Sequence, residues 1–265
     1  MTPSVLQRNN VKILGTGSKW LVLAHGFGSD QTAWSYHADA LKDEYRVLLY
    51  DNVGAGGSDV AAYSPRRYRS MHGYATDLLE ILDAVGASDV RFVGHSMSGM
   101  IGLLAARAQP ERFNKLVLVG ASPRYLNEEG YFGGFEQRDI DELLAAMAGN
   151  YHTWVSGFSA IAAENPERPE IAAQFAGTLS QLRPDIAVAV SRMVYESDHR
   201  ADLQGLSIPT LILQSTHDIA VPPGVGRYLE QQIPGARLQI VDAQGHLPHL
   251  SNPAGVLAAM RPFLG

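Results

Sequence analysis

Three residues of this chain could together carry out acyl transfer: Ser96, Asp218 and His246. Ser96 lies in Val90-Arg91-Phe92-Val93-Gly94-His95-Ser96-Met97-Ser98-Gly99-Met100, an apolar run, a lone serine, and a small-residue stretch that continues to Ala106. That order predicts a strand, a sharp turn and a helix, with the hydroxyl exposed at the apex of the turn. A serine hydroxyl is a weak nucleophile near neutral pH. A histidine that takes its proton, and an acid that orients the histidine, make it an effective one. The pattern G-x-S-x-G is only partly met, because Ser98 stands at its fifth position and the glycine comes one later. Taken alone, the stretch is equally an ordinary strand-to-helix turn.

The rest of the chain supplies the partners. Asp218 and His246, like Ser96, stand just past the ends of apolar runs expected to be strands, in the chain order Ser, Asp, His. Asp51, Asp198, Asp202 and Asp242 compete for the acid role. Only Asp218 lies in the turn after the penultimate expected strand, with Gly245-His246 following the last one. His217 and His249 are read as neighbours. His25-Gly26-Phe27-Gly28 adds what a tetrahedral intermediate needs, two N–H donors aimed at its oxyanion. The backbone N–H groups of Phe27 and Met97 are the candidates, and His25 is read as structural.

The elements that must hold these residues can be read from periodicity. Near-continuous apolar runs predict strands at 11–14, 20–24, 45–50, 90–93, 115–120, 209–214 and 237–241. Helices are expected at 31–41, 73–85, after Ser96, at 224–232 and at 253–264. Strands alternating with helices imply a mostly parallel sheet covered on both faces. Gly15-Thr16-Gly17-Ser18-Lys19 lacks the spacing of a phosphate loop and is read as a hairpin turn; Gly54-Ala55-Gly56-Gly57 is read as a plain loop.

The rhythm changes between 125 and 199. Four helical stretches appear there, striped by Ile140/Leu143/Leu144/Met147, Trp154/Phe158/Ile161, Ile171/Phe175/Leu179 and Ile186/Val190/Met193/Val194. Pro169 and Pro184 open the last two. Residues 125–199 are therefore expected to form a helical lid inserted into a core of 1–124 and 200–265. A small insertion cannot bury all of Trp154, Phe158, Phe175, Tyr125 and Phe135 within itself. Some should face the serine and shape an apolar pocket for a small ester or lactone.

Composition narrows the classes. The formal net charge of -6 lacks the basic face of a nucleic-acid binder. The basic run Arg66-Arg67-Tyr68-Arg69 is read as a solvated loop or helix start. There is no cysteine, so neither disulfides nor thiolate chemistry enter. No ligand cluster suggests a metal, no motif suggests another cofactor, and an aspartate-nucleophile dehalogenase would need Asp where Ser96 stands. The first twelve residues lack the apolar core of a signal peptide, and no apolar run is long enough to span a membrane. A soluble cytoplasmic protein is expected.

Several longer stretches carry a more specific signal. These include His25-Gly26-Phe27-Gly28-Ser29-Asp30-Gln31, Gly120-Ala121-Ser122-Pro123-Arg124-Tyr125-Leu126-Asn127, Gly133-Gly134-Phe135-Glu136, Arg183-Pro184-Asp185-Ile186, Ser197-Asp198-His199-Arg200 and Gly245-His246-Leu247-Pro248-His249-Leu250-Ser251. On these the chain resembles the α/β-hydrolases that group bacterial RsbQ with the plant karrikin and strigolactone receptors. The resemblance implies an α/β-hydrolase fold, a V-shaped four-helix lid, and a triad at the base of a hydrophobic pocket. By matching motifs, its pocket positions fall on Phe27, Met97, Tyr125, Phe135, Leu143, Trp154, Phe158, Phe175, Val194 and Ala220. Met97 replaces the usual valine and is expected to narrow the pocket mouth. Two functions follow from the resemblance: a serine hydrolase of small apolar esters or butenolide-type lactones, or a slowly hydrolysing ligand sensor that signals through a protein partner.

Overall fold

The apolar runs form seven strands: β1 (Lys12–Leu14), β2 (Lys19–Ala24), β3 (Tyr45–Tyr50), β4 (Val90–His95), β5 (Phe113–Val119), β6 (Thr210–His217) and β7 (Arg237–Gln244). They make one sheet in the order β1-β3-β2-β4-β5-β6-β7 in a computed structural model that describes residues 3–265. Only β1 runs antiparallel to its neighbour; all other pairings are parallel. Eleven α-helices occur among the described residues: α1 (Val5–Arg8), α2 (Ser35–Leu41), α3 (Met71–Val85), α4 (Met97–Ala108), α5 (Gln137–Gly149), α6 (Tyr151–Ala163), α7 (Pro169–Leu179), α8 (Pro184–Tyr195), α9 (Pro223–Gln232), α10 (Pro248–Ser251) and α11 (Pro253–Leu264).

Alternate residues of each strand face opposite layers. Val22, Leu48, Tyr50 and Phe92 point to the side covered by α3, α4 and α9. Leu21, Leu23, Val47, Leu49 and Val93 point to the side covered by α2 and α11. In α3 the residues Tyr74, Leu78, Ile81 and Leu82 are buried, and Gly86 ends the helix at φ +65, a left-handed cap. The small residues of α4 let it lie close to the sheet. A Cβ on Gly99 would meet that of Ala121 at 2.6 Å.

Two expectations fail here. The 15–19 stretch is not a hairpin turn, because β1 pairs with β3 and not with β2. Its glycines serve a close crossing instead: a Cβ at Gly15 or Gly17 would run into the backbone between Lys42 and Tyr45. The basic run 66–69 is not simply solvated either. Arg67 and Arg8 both pair with the buried Asp77 and with Glu80, and the Tyr68 hydroxyl donates to Asp77 at 2.8 Å. Burial raises the Asp77 pKa, against the pull of the two guanidiniums.

Helices α5 to α8 lie between β5 and β6, with Pro169 and Pro184 at the first positions of α7 and α8. The two ends of this segment meet. Arg124 and Asp198 form an antiparallel bridge, His199 N–H donates to the Pro123 carbonyl at 2.8 Å, and Arg200 pairs with both Asp198 and Glu128 at 2.6 Å.

Candidate active site

The turn after β4 puts Ser96 at φ 52, ψ -121, a backbone that a side-chain-bearing residue adopts only when its surroundings impose it. They do: the Ser96 N–H donates to the Val119 carbonyl at 2.8 Å, and a Cβ on Gly94 would collide with the backbone of Ser98. This strain lifts the hydroxyl above the sheet.

Ser96, Asp218 and His246 converge. His246 Nε2 lies 2.9 Å from Ser96 Oγ, and its Nδ1 lies 2.9 Å from Asp218 Oδ2 and 3.1 Å from Oδ1. Asp218 Oδ1 also accepts the N–H groups of Ala220 at 2.9 Å and Val221 at 3.0 Å, which locks the carboxylate in place. An acceptor carboxylate at Nδ1 fixes the hydrogen there and leaves Nε2 free to accept from the serine. The competing acids stand elsewhere. Asp51 accepts from Gln31 N at 2.8 Å, Asn10 Nδ2 at 2.7 Å and Gly57 N at 2.8 Å, as a joint between loops. Asp198 serves the ends of the inserted segment, and Asp202 pairs with Arg107 and His199.

Phe27 lines the cavity with Ser96, Met97 follows Ser96 in the chain, and among the described residues no hydrogen bond is made by the backbone N–H of either. Gly26 must be glycine, since a Cβ there would lie 2.5 Å from His95 Nδ1 and 3.1 Å from Ser96 Cβ.

Over the serine opens a cavity of about 430 Å³. Phe27, Tyr125, Phe135, Leu143, Trp154, Phe158, Phe175, Val194 and Ala220 all line it, with Ser96 and His246 at the base. Trp154 stacks on Phe158 at 4.6 Å, and Tyr125 packs edge-on to Tyr195 at 5.1 Å. The Tyr125 hydroxyl sits 3.4 Å from Ser96 Oγ, and burial pushes its pKa up to about 12, so it stays protonated. Met97 departs from expectation. It is buried and lines a separate small cleft together with Leu182, Ile186 and Val190, and it is not among the residues lining the cavity over the serine.

Sequence reasoning missed Tyr195, His95 and Ile219, all of which line the cavity. Tyr195 follows Val194 at the end of the α8 stripe, a position that periodicity could have flagged. His95 occupies a variable position of the elbow pattern. Its Nε2 lies 2.7 Å from the His246 carbonyl and must carry the hydrogen, and burial keeps the ring neutral, with its pKa well below the usual value. Among the described residues no group of three or more His, Asp or Glu side chains gathers as a metal site, and no helix is long and apolar enough to cross a membrane.

Known proteins share this fold. A family model for the alpha/beta hydrolase fold matches residues 19–253. The chain is 43% identical to the karrikin insensitive 2 receptor CA of Petunia hybrida, covering 97% of this chain and 95% of that one. It is also 43% identical to a strigolactone esterase of Pisum sativum, over 96% of each. A hydrolase from Oleispira antarctica superposes with a TM-score of 0.93 at 34% identity, covering 98% of this chain and 94% of that one. The chain therefore belongs to the α/β-hydrolases, in the group that includes the karrikin insensitive 2 receptors and the strigolactone esterases.

Proposed function

We propose that this protein is a serine hydrolase that cleaves small apolar esters or butenolide-type lactones, with residues 125–199 as its lid. The observation that carries the reading is the Ser96–His246–Asp218 chain of hydrogen bonds at the floor of an apolar cavity. Ser96 Oγ attacks the carbonyl carbon while His246 Nε2 takes its proton, and the oxyanion is held by the Phe27 and Met97 N–H groups. Collapse breaks the ester C–O bond, and His246 returns the proton to the leaving oxygen. Water, deprotonated by the same nitrogen, then attacks the acyl-enzyme and frees Ser96. Asp218 stabilises the imidazolium at each step. Among the described residues no charged side chain lines the cavity apart from the His246 imidazolium formed in turnover, so a neutral, apolar acyl or lactone ring fits best.

A second reading has its own support. A relative 43% identical to this chain is named a receptor, and Ile161 and Ile219 stand exposed at the cavity rim, where a partner could meet them. In this reading slow hydrolysis accompanies ligand sensing.

Steady-state and burst kinetics on p-nitrophenyl acetate and a fluorogenic butenolide, wild type beside Ser96→Ala, test both. Repeated turnover that Ser96→Ala abolishes, with its melting temperature kept, is expected of the hydrolase. A single burst followed by near silence would favour the sensor, and turnover retained by Ser96→Ala would exclude both.

A further inference from the structure

The departure of the elbow from its usual pattern, Ser98 in place of glycine, has a structural counterpart one strand away. Ser98 is fully buried, and its hydroxyl donates to the carbonyl of His25 at 2.5 Å. Asn52 Nδ2 donates to that same carbonyl at 3.2 Å and to Ser98 Oγ at 3.2 Å. Both lone pairs of the His25 carbonyl are thereby used, and so is an acceptor site of the serine.

The ring of His25 continues the chain of bonds. Asn52 N–H donates to His25 Nε2 at 3.0 Å. A backbone amide can only donate, so Nε2 accepts and Nδ1 carries the hydrogen. That Nδ1–H lies 2.8 Å from the Gly26 carbonyl. The Gly26 carbonyl and the Phe27 N–H belong to one planar trans peptide and point in opposite directions. Holding the oxygen on the His25 side aims the Phe27 N–H away from it, across the turn. The far end of the loop is pinned separately, by Gln31 N–H and Nε2 to Asp51.

We propose that Ser98 is a positioning residue for the oxyanion turn: through the His25 carbonyl, and together with Asn52, it sets the direction of the Phe27 N–H toward the carbonyl attacked by Ser96. The proposal rests on the hydrolase reading given above. A glycine at 98 would leave the His25 carbonyl with Asn52 alone and a cavity where the hydroxyl stood. The residue acts on no reacting atom. It stiffens a donor whose value depends on its being aimed before charge develops.

Ser98→Ala and the near-isosteric Ser98→Cys, a poor donor, test this by p-nitrophenyl acetate kinetics beside wild type and Ser96→Ala. Both variants should lose about tenfold or more in kcat, a fraction of the cost of deleting an oxyanion donor outright, with KM within about twofold. Affinity for an alkylboronic acid, which becomes tetrahedral and anionic on Ser96, should fall by the same factor as kcat/KM. A packing role alone would lower the melting temperature and leave the boronate affinity and kcat unchanged at temperatures well below it. Either variant keeping wild-type kcat and boronate affinity overturns the proposal. Failure of the hydrolase reading looks different: wild type itself would then show no turnover beyond Ser96→Ala.

Discussion

The backbone N–H of His246 donates to the carbonyl of Ala162 at 2.8 Å, so the proposed general base hangs from one of the last carbonyls of α6. Those terminal carbonyls have no partner within their own helix and are free to accept from elsewhere. Asn165 reinforces the junction by donating to the carbonyls of both Ala163 and Gln244, at 2.5 and 3.0 Å. Gly245, between β7 and the histidine, has φ +82, and a Cβ there would collide with the Ala163 carbonyl. The inserted helices and the base share one joint.

Gly245→Ala should separate the two sides of that joint. The new methyl would push α6 from the loop and strain a left-handed backbone. A displacement of His246 by about 1 Å is enough to cost about a hundredfold in kcat. Kinetics on p-nitrophenyl acetate with a parallel thermal melt check this: the expected outcome is a large loss of kcat and a lower melting temperature.

Asp218→Asn should lower kcat by about four orders of magnitude with little change in KM. An amide can still accept from Ala220 and Val221, but it no longer requires the His246 hydrogen to sit on Nδ1. A loss of less than tenfold would transfer the acid role to another residue.

Stability should depend on pH through a column of buried rings behind the base. His95 packs 5.0 Å from His246 and 4.3 Å from His249; His249 stacks on Trp34 at 4.7 Å, and Trp34 meets His37 at 5.0 Å. Burial lowers the pKa of His37 to about 4, and those of His95 and His249 well below the ordinary value. The unfolded chain therefore takes up these protons first, near pH 6.5. Their neutral burial is unopposed above that pH, and stability falls as the pH drops from there toward the folded values, by about 1.4 kcal/mol per pH unit for each histidine. Thermal melts should show a steep decline below about pH 6.5, and His249→Phe should make it shallower. A flat profile between pH 7 and about 4.5 would show that these rings titrate alike in both states.

What the sequence revealed follows from which forces are local. The serine, aspartate and histidine positions were legible because each follows within a few residues of an apolar run, although the strands extend past those runs to His95, His217 and Gln244. The helices at 169–179 and 184–195 were legible from proline openers and apolar stripes. Strand order was not. That β1 lies beside β3 depends on how 15–19 crosses the start of β3, a contact with no local mark. Arg67 read as solvated because its partners, Asp77 and Glu80, lie a helix turn or more away in sequence and Arg8 lies in another element. Met97 was placed at the pocket mouth by analogy of position, whereas it lines a separate small cleft with Leu182, Ile186 and Val190.

Strand neighbourhood has one more consequence. The Phe27 and Ser96 turns leave β2 and β4, which are bonded to each other with Ala24 facing Gly94. Asp218 and His246 come from β6 and β7, two and three strands from β4. The turns carrying Ser96 and Phe27 thus leave adjacent strands near the middle of the sheet, while Asp218 and His246 leave β6 and β7, and the His246 backbone is also bonded to α6. A displacement of α6 would therefore reach His246 directly, through the Ala162 carbonyl, whereas the Ser96 N–H is held by the Val119 carbonyl of the sheet.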